Sequence, residues 1–174
     1  LMKTQFPGID PMKFAFLGPL VGAVIRPVGG WLSDKIGGAK VTFWNFIVMT
    51  AAVFGVLNFL PSNGGAGNFW GFFAMFMVLF VTTGIGNGST FRMIPVIFRT
   101  QNDRANAGKG KDAQEASVRK SQMGSAAVLG FSGAIGAYGG FFIPKSFGTS
   151  MALTGGPQAA LYVFIAFYVS CIFV

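Results

Sequence analysis

Five long apolar runs leave this chain few choices of fold. They cover residues 11–33, 41–60, 69–98, 123–147 and 158–174. A bilayer hydrocarbon core of about 30 Å needs roughly 20 apolar residues in a helix. Lipid also offers the backbone no hydrogen-bond partner, so each run must satisfy its own amides as a helix. A barrel does not fit, because the runs are too long and lack strict alternation. The chain has 174 residues and only 10% are charged, against about 25% in soluble domains. An all-α, polytopic transmembrane bundle in contact with a lipid bilayer is expected. Stretches of turn composition separate the runs, "PSNGGAGN" after the second and "GTSMALTGGP" after the fourth.

The net charge of +8 suggests nucleic acid only if its position is ignored. Lys35 and Lys40 lie between the first and second spans; Arg99, Arg104, Lys109, Lys111, Arg119 and Lys120 lie between the third and fourth. The cores of the other two connections carry no lysine or arginine. Basic connections stay in the cytoplasm, so 34–40 and 99–122 are predicted as cytoplasmic loops, with the N-terminus outside and the C-terminus inside. The basicity is topogenic, and no nucleic-acid partner is expected. Cys171 is the single cysteine and there is no histidine. A disulfide framework, a zinc cluster and a histidine base are therefore excluded within this chain, and no enzymatic activity or cofactor is expected. The chain begins with Leu-Met-Lys in a polar connection and ends on "CIFV" within an apolar run. Part of a larger transporter is expected.

Charge within a span is costly and marks function. Arg26, in "GPLVGAVIRPVGGW", lies a few residues cytoplasmic of its span's midpoint, and no acidic residue accompanies it inside any span. A guanidinium cannot be neutralised by losing a proton. It either pairs with a carboxylate elsewhere, snorkels to the interface, or presents a fixed positive charge to an anion in a central cavity. The third reading uses its planar fork, which suits a planar oxyanion. Pro27 supplies no N–H to the carbonyl of Ala23, so the helix is expected to kink or open there. Arg92 and Lys145 lie near span ends, where snorkelling suffices, with an ion-pair or gating role open to Arg92.

The fourth span carries "GFSGAIGAYGGFFIP", with Gly130, Gly133, Gly136, Gly139 and Gly140 in eleven residues. A helix interior disfavours glycine by roughly 1 kcal/mol against alanine. Each step of three falls back about 60° around the helix, so the stripe winds across one side. Close helix packing explains pairs such as Gly18 and Gly22. Five glycines exceed one static contact, and a face that slides during a conformational cycle is expected. In "GIGNGST", Asn87, Ser89 and Thr90 are candidates for polar cavity groups or interhelical hydrogen bonds. In "GGWLSDKIGGAK", Asp34 either caps the next helix or pairs with an arginine across an interface between half-domains.

Gly30-x-x-x-Asp34-Lys35-x-Gly37-x-x-Lys40 resembles the cytoplasmic loop motif of the major facilitator superfamily, departing from it at Gly38 and Ala39. "GFSGAIGAYGGFFIPKSFG" resembles the second nitrate signature of the nitrate/nitrite porter family (NarK/NarU type), and "GIGNGSTFRMIPVIFR" resembles that family's tenth helix. The resemblance implies helices eight to twelve of a twelve-helix transporter, in its carboxy-terminal half, in the bacterial inner membrane. It implies that Arg26 binds substrate, with Asn87, Ser132, Gly133 and Gly136 beside it. Gly130, Gly139, Gly140 and Pro27 then serve the conformational cycle. Nitrate and nitrite are the implied substrates, exchanged by alternating access. The implied partner is an amino-terminal half carrying a second arginine and a first glycine signature. Proton-coupled nitrate uptake, transport of another small anion or organic phosphate by the same superfamily, and a non-transporting anchor subunit remain open.

Overall fold

The computed structural model describes residues 5–61, 67–108 and 110–173, with only the backbone of 111–113. Most of the connection "PSNGGAGN", together with Lys109 and Val174, lies outside the described residues. A 3-10 turn at Pro11–Lys13 leads into α1 (Leu17–Val24), α2 (Arg26–Ile36), α3 (Gly38–Phe59), α4 (Phe69–Ala105), α5 (Lys111–Thr154) and α6 (Gln158–Ile172). No strand occurs among the described residues. The fold is the expected all-α bundle, and four of its helical stretches are long and apolar enough to cross a membrane.

The first of these, Pro11–Ile36, comprises the 3-10 turn, α1 and α2. It breaks between α1 and α2 at Ile25, one residue before Arg26. Pro27 contributes, since its nitrogen carries no hydrogen for a helical bond, although Pro95 and Pro144 are carried within unbroken helices. The break is local. Ile25 keeps right-handed helical angles (φ −79°, ψ −13°). Its N–H donates to the Val21 carbonyl at 3.0 Å, and its own carbonyl accepts from Gly29 N–H at 3.2 Å. A one-residue turn at Gly37 joins α2 to α3. Its φ of +89° is a conformation that only glycine adopts without strain.

Helix extends further than composition suggests. α4 runs to Ala105 and α5 begins at Lys111, so the connection expected over 99–122 contracts to 106–110. Its polar residues stitch two helices together. Asn106 Nδ2 donates to Ser117 Oγ at 2.8 Å, and Asn102 Nδ2 donates to the Ser117 carbonyl at 3.3 Å. Ser117, Ser121 and Ser125 are buried. Likewise α5 continues through 148–154, leaving a turn at 155–157 in which Gly155 has φ +74°. There Ser150 Oγ donates to the Gly156 carbonyl at 2.6 Å and accepts from Ala160 N–H at 3.3 Å. The last helix has 15 residues, or about 22 Å at 1.5 Å per residue. That is shorter than the full span expected over 158–174.

Contacts set the order of the bundle. Gly38, at the start of α3, adjoins Ser89 and Met93 of α4, so the turn at Gly37 and the α4–α5 hairpin share one end. Val53, Val56, Phe72, Leu161 and Ile165 form a buried cluster toward the other end, with Phe6, Leu60 and Phe69. The rings of Phe6 and Phe72 lie 5.2 Å apart. Between the ends, α1 and α2 cross α4 with almost no side chain between them. A Cβ on Gly29 would lie 2.7 Å from the Ile85 Cα, and one on Gly88 would lie 2.9 Å from the Arg26 carbonyl carbon. Gly84 abuts the Gly22 backbone in the same way. In lipid, where apolar burial drives little association, such backbone approach supplies the cohesion.

Candidate functional site

The helix break places Arg26 as the first residue of α2, and its side chain is exposed. It lines a cavity of about 770 Å³ together with α3, α4 and α5. α4 contributes Thr83, Gly86, Asn87, Gly88, Thr90 and Phe91; α5 contributes Ser132, Gly133 and Gly136. The five residues assigned to substrate from the sequence, Arg26, Asn87, Ser132, Gly133 and Gly136, thus lie along one cavity despite spanning 110 positions of chain. Among the described residues no carboxylate pairs with Arg26; the ion pairs found there are Arg92–Asp34 and Arg99–Asp103.

Backbone packing positions the arginine. Gly88 lies directly against the Arg26 main chain, and Gly30, one turn further along α2, faces the Gly88 carbonyl at 3.7 Å from where its Cβ would be. The register of α2 on α4 therefore fixes where the guanidinium emerges. Along α5, a Cβ added to Gly130, Gly133, Gly136 or Gly140 would meet nothing within 4 Å, and one on Gly139 would meet only Ile143 Cδ1 of its own helix, at 3.9 Å. These glycines do not mediate close packing within this chain. Gly18, Gly22, Gly29, Gly84 and Gly88 do. Gly130, Gly139 and Gly140 stand outside the cavity lining.

The loop motif acquires a partner. Arg92 Nε donates to both Asp34 oxygens, at 2.9 and 3.1 Å. Asp34 therefore pairs with an arginine of this same helix set. It does not cap α3, whose first turn receives no side-chain cap. Lys35 Nζ sits 4.2 Å from the Trp31 ring centroid, a cation–π contact one turn back. Lys145 lies 5.4 Å from the Phe141 ring. Lys40 is exposed, and Gly37 makes the turn. Ser89 faces away from the cavity: it is fully buried, with its hydroxyl 3.5 Å from the Gly38 carbonyl.

The sequence reading missed the α3 wall. Thr42, Asn45, Phe46 and Met49 line the cavity. Asn45 is 9% exposed, and among the described residues its Nδ2 finds only the Met49 sulfur, at 3.6 Å. Thr42 Oγ1 is buried with no partner among the described residues. The available signal was an amide near the start of the apolar run 41–60, three residues after a threonine. That spacing shares a helix face.

The chemistry of the lining is consistent. It holds one permanent cation, several neutral donors and no acid. Among the described residues no cluster of histidine, cysteine, aspartate or glutamate suits a metal ion. Such a cavity can hold a small anion and offers it no base or nucleophile pair.

No protein-family model matches the chain. It is similar to curated relatives along nearly its whole length. It is 51% identical to the nitrate/nitrite transporter NarU of Salmonella typhimurium and 49% identical to that of Escherichia coli, each over 99% of this chain. It is 32% identical over 91% of its length to a probable nitrate/nitrite antiporter, NarK2, of Thermus thermophilus. The chain spans 37% of the length of the first two and 31% of the third. All three are named as transporters.

Proposed function

We propose, from a chain that shares about half its residues with nitrate/nitrite transporters along nearly all its length, that it is the carboxy-terminal helix set of such a transporter. The fold is then that of the major facilitator superfamily. The setting is the bacterial inner membrane, and the missing partner is an amino-terminal half. The observation that carries the reading is the meeting of Arg26 with Asn87, Ser132, Gly133 and Gly136 around one cavity.

In this mechanism nitrate or nitrite enters the cavity and receives paired hydrogen bonds from the Arg26 guanidinium, whose fork matches two oxygens of a planar oxyanion. An arginine of the other half approaches from the opposite side. The anion offsets the repulsion between the two cations and allows the halves to close. The uncovered glycine face of α5 then moves against its counterpart, and the other side opens. The spans contain no histidine and no acid. Exchange of nitrate for nitrite is accordingly favoured over proton-coupled uptake.

Two measurements test this. In the full-length transporter, Arg26→Lys keeps the charge and removes the fork; nitrate affinity and exchange are expected to fall about tenfold or more. Unchanged affinity and exchange would reject the bidentate role. Counterflow of labelled nitrate against internal nitrite is expected to proceed without a proton gradient. Strict dependence on that gradient would reject exchange, and competition by phosphate but not nitrite would reject the substrate.

A further inference from the structure

The α3 wall of the cavity holds two polar groups that the described residues satisfy poorly or not at all. Buried amides and hydroxyls in folded proteins nearly always find a partner, and an exception calls for a specific cause. Asn45 is nine-tenths buried. Its only hydrogen bond among the described residues is a weak donation to a thioether, 3.6 Å away. Thr42, one turn earlier on the same face, has a buried hydroxyl with no partner among the described residues. Both residues line the cavity that holds Arg26. Across from the amide stands Gly86, another lining residue, where a Cβ would lie 2.7 Å from Asn45 Nδ2. The missing side chain at Gly86 is what lets that amide sit against α4 at the cavity wall.

We propose that Asn45 is a further anion-binding residue, a neutral hydrogen-bond donor to an oxygen of the anion held by Arg26. Gly86 leaves room for the amide at the cavity wall, and Thr42 supports it. The proposal rests on the reading of this chain as part of a nitrate/nitrite transporter, and deepens it. A neutral donor suits the task. A second fixed cation on the same wall would hold the anion too strongly for release, whereas an amide adds direction without net charge.

The proposal makes an unusual prediction about stability. An amide kept for a ligand is a burden to the unliganded protein, because its burial is poorly compensated. Replacing such a group by an apolar one of similar shape is neutral or stabilising. A structural asparagine behaves in the opposite way. The experiment uses the full-length transporter purified in detergent, with nitrate affinity from calorimetry and thermal unfolding without anion. Asn45→Leu is expected to weaken nitrate binding about tenfold while the melting temperature without nitrate stays level or rises. Unchanged nitrate affinity in Asn45→Leu overturns the assignment, whatever its stability. Should the leucine variant fail to fold, Asn45→Asp decides. It keeps the shape and turns a carboxylate toward the anion, so binding must fall; wild-type affinity there overturns the proposal too. Wild type and Arg26→Lys run alongside separate the two claims. If wild type itself binds no nitrate, the proposed function falls. If Arg26→Lys loses affinity while Asn45→Leu does not, only the role of Asn45 falls.

Discussion

Replacing Gly88 by alanine tests the crossing on which the site depends. A methyl carbon there would lie 2.9 Å from the Arg26 carbonyl carbon and 3.2 Å from its Cα, with the carbonyl oxygen nearer still. Carbon atoms prefer about 3.5–4.0 Å, so α2 and α4 must part by about 1 Å. The obstacle is backbone, which cannot rotate away as a flexible side chain would. The neighbouring approaches at Gly29 and Gly84 loosen with it. Overpacking of this kind costs about 3 kcal/mol at the upper end of its usual range. Alanine returns about 1 kcal/mol through helix propensity. The steric term wins, leaving a net loss of about 2 kcal/mol, or roughly thirtyfold in the folded ratio. Thermal unfolding of the full-length transporter in detergent, followed by intrinsic fluorescence, reads the first consequence. The second is weaker nitrate binding, since the displaced backbone is that of Arg26. A Gly88→Ala protein that melts at or above the wild-type temperature would show that the helices do not cross this closely.

Gly133→Ala gives the complementary result. Nothing lies within 4 Å of the added carbon, so stability is expected to hold or rise by up to about 1 kcal/mol. Exchange in proteoliposomes is nevertheless expected to fall, because the bare face is needed against the other half; full exchange would count against a moving glycine face. The Asp34–Arg92 pair is about half exposed on both sides. A double-mutant cycle on thermal stability with Asp34→Asn and Arg92→Gln is therefore expected to give a coupling below about 1 kcal/mol. A coupling of several kcal/mol would mean that the pair is shielded from water in the intact protein.

Some of this protein was legible because one physical requirement dominates each inference. Lipid leaves a spanning backbone no other partner, so long apolar runs had to be helices. Proline has no N–H, so a break beside Arg26 was expected and occurs at Ile25. The cost of placing a permanent cation at membrane depth singled out Arg26 before any contact was known. The helix ends at 99–122 escaped the sequence reading. Charge and polarity there describe solvent exposure equally well for a loop and for a helical hairpin. Only the hydrogen bonds from Asn102 and Asn106 to Ser117 decide between them.

The sequence by itself determined that the chain is a set of membrane helices, which residue carries the isolated charge, and which helix is unusually bare. These depend on local chemistry that each segment carries wherever it packs. Only the tertiary structure decided which glycines are packing surfaces and which are left open, since a glycine is the same residue in both settings. It also decided that Asp34 serves Arg92, 58 positions away, and that Thr42 and Asn45 turn toward the cavity. Those facts depend on the register of α2 and α3 against α4, set by backbone approach at Gly29, Gly84 and Gly88 and by side chains meeting across the crossing. Register joins residues remote in the chain, and no run of neighbouring letters encodes it.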